Sequence, residues 1–296
     1  MAVVFALVTA LAYGTGDFLA GFASRRAHPL AVAFLAQLAA VASLAVAVTA
    51  WGVKPSPAAI GWGSAAGAVM AVAFGVYLRG MAAGQIGVVA TMAAVWSAVV
   101  PFSIGLALGE RPSLPAMAGA IAVLLSVPLM SALHRGPQMD APSRTETEDS
   151  GRSKRSNRRL LRPGLIEGLL AGVLYGTSFL LFDLAGSGGA LWPVLAASAT
   201  SGILLGTRLA ATRPMLSAAA QEWAAAGVTG VLHSLATVSF ILASQSGMLS
   251  LAAVVAALAP APTIVLARFF LNEMMRPAQI AGAVLALFGI ALIAAG

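Results

Sequence analysis

Charged and titratable side chains are scarce in this chain, so each one inside an apolar run needs a partner. Asp17 lies in LAYGTGDFLAG, within a run that carries no other charge between Met1 and Arg25. An acidic residue at the centre of an apolar span costs about 2.5–3.5 kcal/mol on insertion scales, so it must face a partner or a hydrated cavity. Tyr13 precedes it by one turn, and i, i+4 spacing puts both on one helix face. His233, in GVLHSLATVSF, falls near the middle of a second apolar run and can titrate near neutral pH. Thr237 shares its face, and Phe240 lies at helical spacing from it. The chemistry open to such groups is proton coupling, solute contact or gating. The structural alternative is a neutral imidazole bonded to a neighbouring helix carbonyl.

Arg79 ends a third apolar run whose C-terminal end falls on the same side as that of the first. An Asp17–Arg79 pair is therefore expected, either as a gate or as a structural tie between helices. Such a pair would keep Asp17 ionised and make it a poor proton carrier. Tyr175 falls mid-span and puts a hydroxyl on an apolar ring, suited to a cavity wall or to bonding across helices. Trp96, in AAVWSAVVPF, lies away from the interfacial belt where Trp usually rests, and a cavity wall is expected there too. Pro101, Pro260 and Pro262 interrupt apolar runs. Proline frees a carbonyl and bends a helix, so these are read as helix breaks near the site or as packing kinks.

The elements that position these residues follow from composition. Charged residues make up 9% of the 296 and hydrophobic residues 59%, against about 25% charged in ordinary soluble domains. That excludes a soluble fold in need of a polar coat and points to an all-α membrane protein. A span needs about 20 apolar residues, and breaks at Gly, Pro and charge divide the chain into ten. They run over 2–23, 30–50, 59–78, 86–108 and 114–133, then 163–184, 191–211, 222–243, 248–271 and 278–295. Residues 134–162 are polar, lack an apolar period and read as a flexible linker. With no basic residue ahead of it, the first run reads as a retained span rather than a signal peptide.

The two halves repeat. Tyr13-Gly14-Thr15 returns as Tyr175-Gly176-Thr177, 162 positions later, and GERPSLPAMAG (109–119) as NEMMRPAQIAG (272–282), 163 positions later. The domain reading is a first repeat over 1–133, the linker over 134–162 and a second repeat over 163–296. Five spans per repeat is odd, so the second repeat must enter the membrane from the opposite side, as in many inverted-repeat transporters. Gly164, Gly168, Gly172 and Gly176 form a smooth ridge for close helix approach. Glu110 and Glu273 sit at turns and are expected to accept from the N-terminal amides of spans five and ten.

Fifteen of the 17 Lys and Arg residues lie in or beside the loops that follow odd-numbered spans, the linker included. The positive-inside rule puts that side, with residues 134–162, in the cytoplasm and both termini outside. The basic residues are topology signals rather than a nucleic-acid stripe, despite the formal charge of +7. With no cysteine and three scattered histidines, there is no metal-ligand spacing, and no cofactor motif is found.

The paired GERP…G and NEMMRP…G phrases, with YGTGDF and YGTSF, resemble the EamA-like repeats of the drug/metabolite transporter superfamily. The resemblance covers nearly the whole chain outside 134–162. It implies a ten-helix inverted-repeat bundle in the inner or plasma membrane. It further implies a secondary active transporter, not an enzyme, that exports small metabolites, amino acids or drugs by alternating access. Ser97 stands where the family often has Pro, and the family's termini are usually cytoplasmic, opposite to the charge count. The partners expected are a small-molecule solute, bilayer lipid and protons as coupling ion, and a monomer suffices. An importer is the alternative. An intramembrane enzyme is disfavoured because Asp17 and His233 lie in separate halves, and a scaffold would lack a cavity.

Overall fold

The computed structural model describes residues 1–83, 86–131, 153–186, 189–214, 219–271 and 277–296. His134, Glu273 and residues 134–152 of the expected linker lie outside them. The described residues form eleven helices: α1 (Ala2–Ser24), α2 (Pro29–Ala50), α3 (Pro57–Ala83), α4 (Ile86–Ala107), α5 (Leu114–Ser131), α6 (Ser153–Ala185), α7 (Leu191–Thr212), α8 (Ala220–Ser246), α9 (Leu249–Ala256), α10 (Pro260–Leu271) and α11 (Pro277–Ala295). Six of them are long and apolar enough to cross a membrane. Four shorter apolar segments complete the set: Met92–Ala107, Leu114–Leu129, Leu249–Thr263 and Ile280–Ala295. The ten apolar runs are thus present, but only six reach full spanning length among the described residues.

Two expectations need correction. Residues 153–162 are helical rather than linker, because Lys, Arg and Leu are good helix formers and no Gly or Pro interrupts SKRSNRRLLR. The prolines also act unequally. Pro101 sits inside a continuous α4, whereas span nine divides into α9 and α10 at Ala257–Ala259. One proline removes one amide donor. Pro260 and Pro262 together remove two within one turn, and the helix gives way.

The turns have local causes. His28 caps α2, its Nδ1 accepting from the Leu30 amide at 3.3 Å, with Pro29 preset in the first turn. Gly109 takes φ +98° between α4 and α5, a conformation that favours glycine.

Helices in lipid gain little from the hydrophobic effect and associate through small residues that let backbones approach. The α6 glycine ridge behaves this way: Gly168 lies against Val89 and Met92, Gly172 against Ala93 and Trp96, and Gly176 against Ser97, Val100 and Pro101. Gly63 and Gly67 of α3 meet Pro193 and Ala197 of α7, and Gly119 and Gly289 let α5 and α11 cross. The principal pairs are α1 on α8, α3 on α6 and α5 on α11, so helices from the two ends of the chain interlock throughout. The core centres on α9 and the turn after it, with Leu249, Ser250 and residues 252–258 buried. Val46, Ile203, Phe269, Leu287 and Phe288 remain exposed on the outside of the bundle.

Candidate functional site

α1 owes its seat on α8 to two glycines and a set of threonines. Gly16 leaves room for the His233 ring, and Gly14 for Ala259 and Pro262 at the break in span nine. Thr9 donates to the Ala236 carbonyl at 3.2 Å, Thr229 to Gly16 at 3.2 Å, and Thr263 of α10 to Gly14 at 2.7 Å. A hydroxyl bonded to a neighbouring helix's carbonyl replaces water where none is present.

This seat brings Asp17 and His233 together. Asp17 Oδ1 lies 3.1 Å from His233 Nε2, with the side chains 53% and 34% exposed. Tyr13, one turn away, contacts the His233 ring edge-on at 5.4 Å, and its hydroxyl lies 2.7 Å from Thr237 Oγ1. Thr237 donates its own proton to the His233 carbonyl at 2.9 Å, so Tyr13 is the donor to Thr237. Aromatic rings extend the cluster. Tyr13 meets Phe179 at 6.4 Å, Phe179 stacks on the fully buried Phe240 at 4.4 Å, and Tyr175 meets Tyr77 at 6.5 Å.

Beside the pair lies a small cavity of about 50 Å³. Tyr13, His233, Ser234 and Thr237 line one wall, and Gln37, Met70, Phe182, Ser198 and Ser201 line the rest. Its surface is hydroxyl-rich and carries one titratable imidazole.

Several expected residues are placed differently. Asp17 pairs with His233, not with Arg79, because α1 packs on α8 while α3 packs on α6. Arg79 is exposed near the end of α3. Trp96 sits against Gly172 in the α4–α6 seam and is not among the cavity-lining residues. Glu110 does accept from helix amides, but those of α9: the Leu249 N–H at 2.7 Å and the Ser250 N–H at 3.0 Å. The contact between Asp17 and His233 also removes the separation of the two residues as an objection to catalysis.

The reading of the sequence missed Tyr77 and Phe179. A usable signal existed for each. The chain has only three tyrosines; Tyr77 meets Tyr175, and Tyr13 meets His233 and Phe179. Phe179 is the position that corresponds to Asp17 when Tyr13 is set on Tyr175. Glu222, 1% exposed and 3.4 Å from the largely exposed Arg26, was missed as well. Among the described residues no group of three His, Cys, Asp or Glu side chains could hold a metal ion.

A bundle of long apolar helices with a polar cluster between them defines a multi-pass membrane protein. The model of the EamA-like transporter family matches residues 162–295, so this part of the chain is similar to that family. No curated protein matches the chain. Twenty chains of solved structures do. One, titled only as the crystal structure of a protein, has a TM-score of 0.77 at 16% identity. The alignment covers 98% of this chain and 95% of that one, so the likeness is one of fold.

Proposed function

We propose that this protein is a secondary active transporter. It moves a small organic solute across the cell membrane by alternating access between two inverted five-helix repeats, 1–133 and 163–296. The observation that carries the reading is the Asp17–His233 pair beside a small hydroxyl-lined cavity. An intramembrane carboxylate and imidazole are costly and are kept where a path or relay uses them.

The packing supports the inverted arrangement. α1 on α8 and α6 on α3 are the same contact seen from either repeat. Three further contacts fit ten crossings. Arg26, after the first span, meets Glu222, at the start of the eighth. Trp192 Nε1, at the start of the seventh, donates to Val53, after the second, at 2.9 Å. Glu110, before the fifth, caps the ninth. Each pair needs its two ends on the same side, as an alternating ten-span path provides.

Proton coupling is assigned to His233 with Asp17, and the direction to export, as the family resemblance implies. Charge bias puts residues 134–162 in the cytoplasm. The test is a solute screen in proteoliposomes with and without an imposed pH gradient. Gradient-driven flux should be lost in His233→Ala. Unchanged flux in that variant would remove the coupling role, and failure of the wild type to move any solute would remove the transport reading.

A further inference from the structure

The small cavity has hydrogen-bonding capacity that the fold leaves unused. Ser201 donates its proton to the Gly67 carbonyl at 2.7 Å, and Ser234 donates to Gly230 at 2.9 Å. Both hydroxyls therefore offer the cavity lone pairs only. Gln37 of α2 and Ser198 of α7 line the same space, and among the described residues neither side chain makes a hydrogen bond. The fully buried side-chain atoms without a partner are on Glu167, Glu222 and Ser250, so those of Gln37 and Ser198 stay reachable. The Gln37 amide brings two donors and an acceptor, and Ser198 brings one hydroxyl.

These groups set what can satisfy them. A carboxylate has no proton to give Ser201 or Ser234. An ammonium has no lone pair to take a bond from Gln37. No Asp, Glu, Lys or Arg is among the described lining residues, so an ion would lose its water without an opposite charge on the wall. An uncharged group that both donates and accepts fits both sets. About 50 Å³ is room for roughly four water-sized groups, enough for the end of a solute and not for a whole one. Met70 and Phe182 complete the lining and suit the carbons behind such an end.

We propose that this cavity is the subsite for an uncharged polar end group of the solute, a primary amide or a hydroxyl, read by Gln37 and Ser198. This rests on the transport reading and specifies its solute.

The test is equilibrium dialysis of radiolabelled butyramide against the full chain in detergent, with protein-free micelles as the blank. Butyramide should bind saturably. Butyrate and butylammonium should compete at least about tenfold less well than unlabelled butyramide. Gln37→Leu and Ser198→Ala should each weaken binding, the first about tenfold. Thermal unfolding identifies a variant that has lost its fold, and the competition on the unaltered chain decides without either. Absence of saturable binding would mean that water alone fills the cavity. That result, equal competition by either ion, or full-strength binding in a folded Gln37→Leu or Ser198→Ala would overturn the proposal. Proteoliposomes separate the two readings. If charged solutes move while butyramide does not bind, the solute class falls and transport stands. If butyramide binds and no solute moves, the subsite stands and transport falls. If neither happens, both fall.

Discussion

Asp17 Oδ1 and His233 Nε2 lie 3.1 Å apart across 216 positions of sequence. The contact joins the first helix of one half to the third of the other, so any relative motion of the halves must lengthen, rotate or keep it. Asp17→Asn and His233→Asn are each expected to lower solute flux by about tenfold or more. The double variant should be little worse than the poorer single one, because both remove the same interaction. Initial rates in proteoliposomes check this, and strictly additive losses would mean that the residues act separately.

Gly16 makes that contact sterically possible. A Cβ at this position would lie 2.6 Å from His233 Cδ2, closer than real carbons approach. Gly16→Ala should therefore displace the imidazole and reduce flux several-fold. Gly21→Ala, on the same helix with nothing near its Cβ position, should be silent. Equal rates in the two variants would show that the ring is not held where it is seen.

Tyr13→Phe deletes the hydroxyl that donates to Thr237. Loss of one such bond costs about 1 kcal/mol, and Thr237 keeps its bond to the His233 carbonyl. A small fall in thermal stability is expected, with a larger effect on solute affinity. A detergent melting curve beside a binding isotherm separates the two.

Glu110 holds the start of the buried α9 through two backbone amides. Glu110→Ala leaves both donors unsatisfied and should cost about 1–2 kcal/mol. Glu110→Gln keeps a neutral acceptor and should cost less. Chemical denaturation of the two variants measures the difference, and no loss in Glu110→Ala would mean that water substitutes for the cap.

The helices were readable because length and hydropathy decide them. The start of α2, read at 30, falls at Pro29, and that of α11, read at 278, at Pro277. The start of α6 at Ser153 was not, since polarity alone does not distinguish a basic helix from a linker. At the site, Tyr13, Asp17 and His233 were singled out because each is unusual in an apolar run, and Thr237 because it shares a helix face with His233. Their grouping was only partly readable. Spacing along one helix joined Tyr13 to Asp17 and His233 to Thr237. The partner of Asp17 depended on which helices meet, and one sequence has no term for that. Arg79 was the nearest opposite charge by topology, but helix packing selected His233.

The break between α9 and α10 has no counterpart in the continuous α4. Two units that trade roles during a cycle would need equal hinges for their end states to match in free energy. Here one unit has a joint and the other a stiff rod. In the proposed transport cycle the two end states would therefore differ in free energy, one forming the deeper basin when no solute is bound.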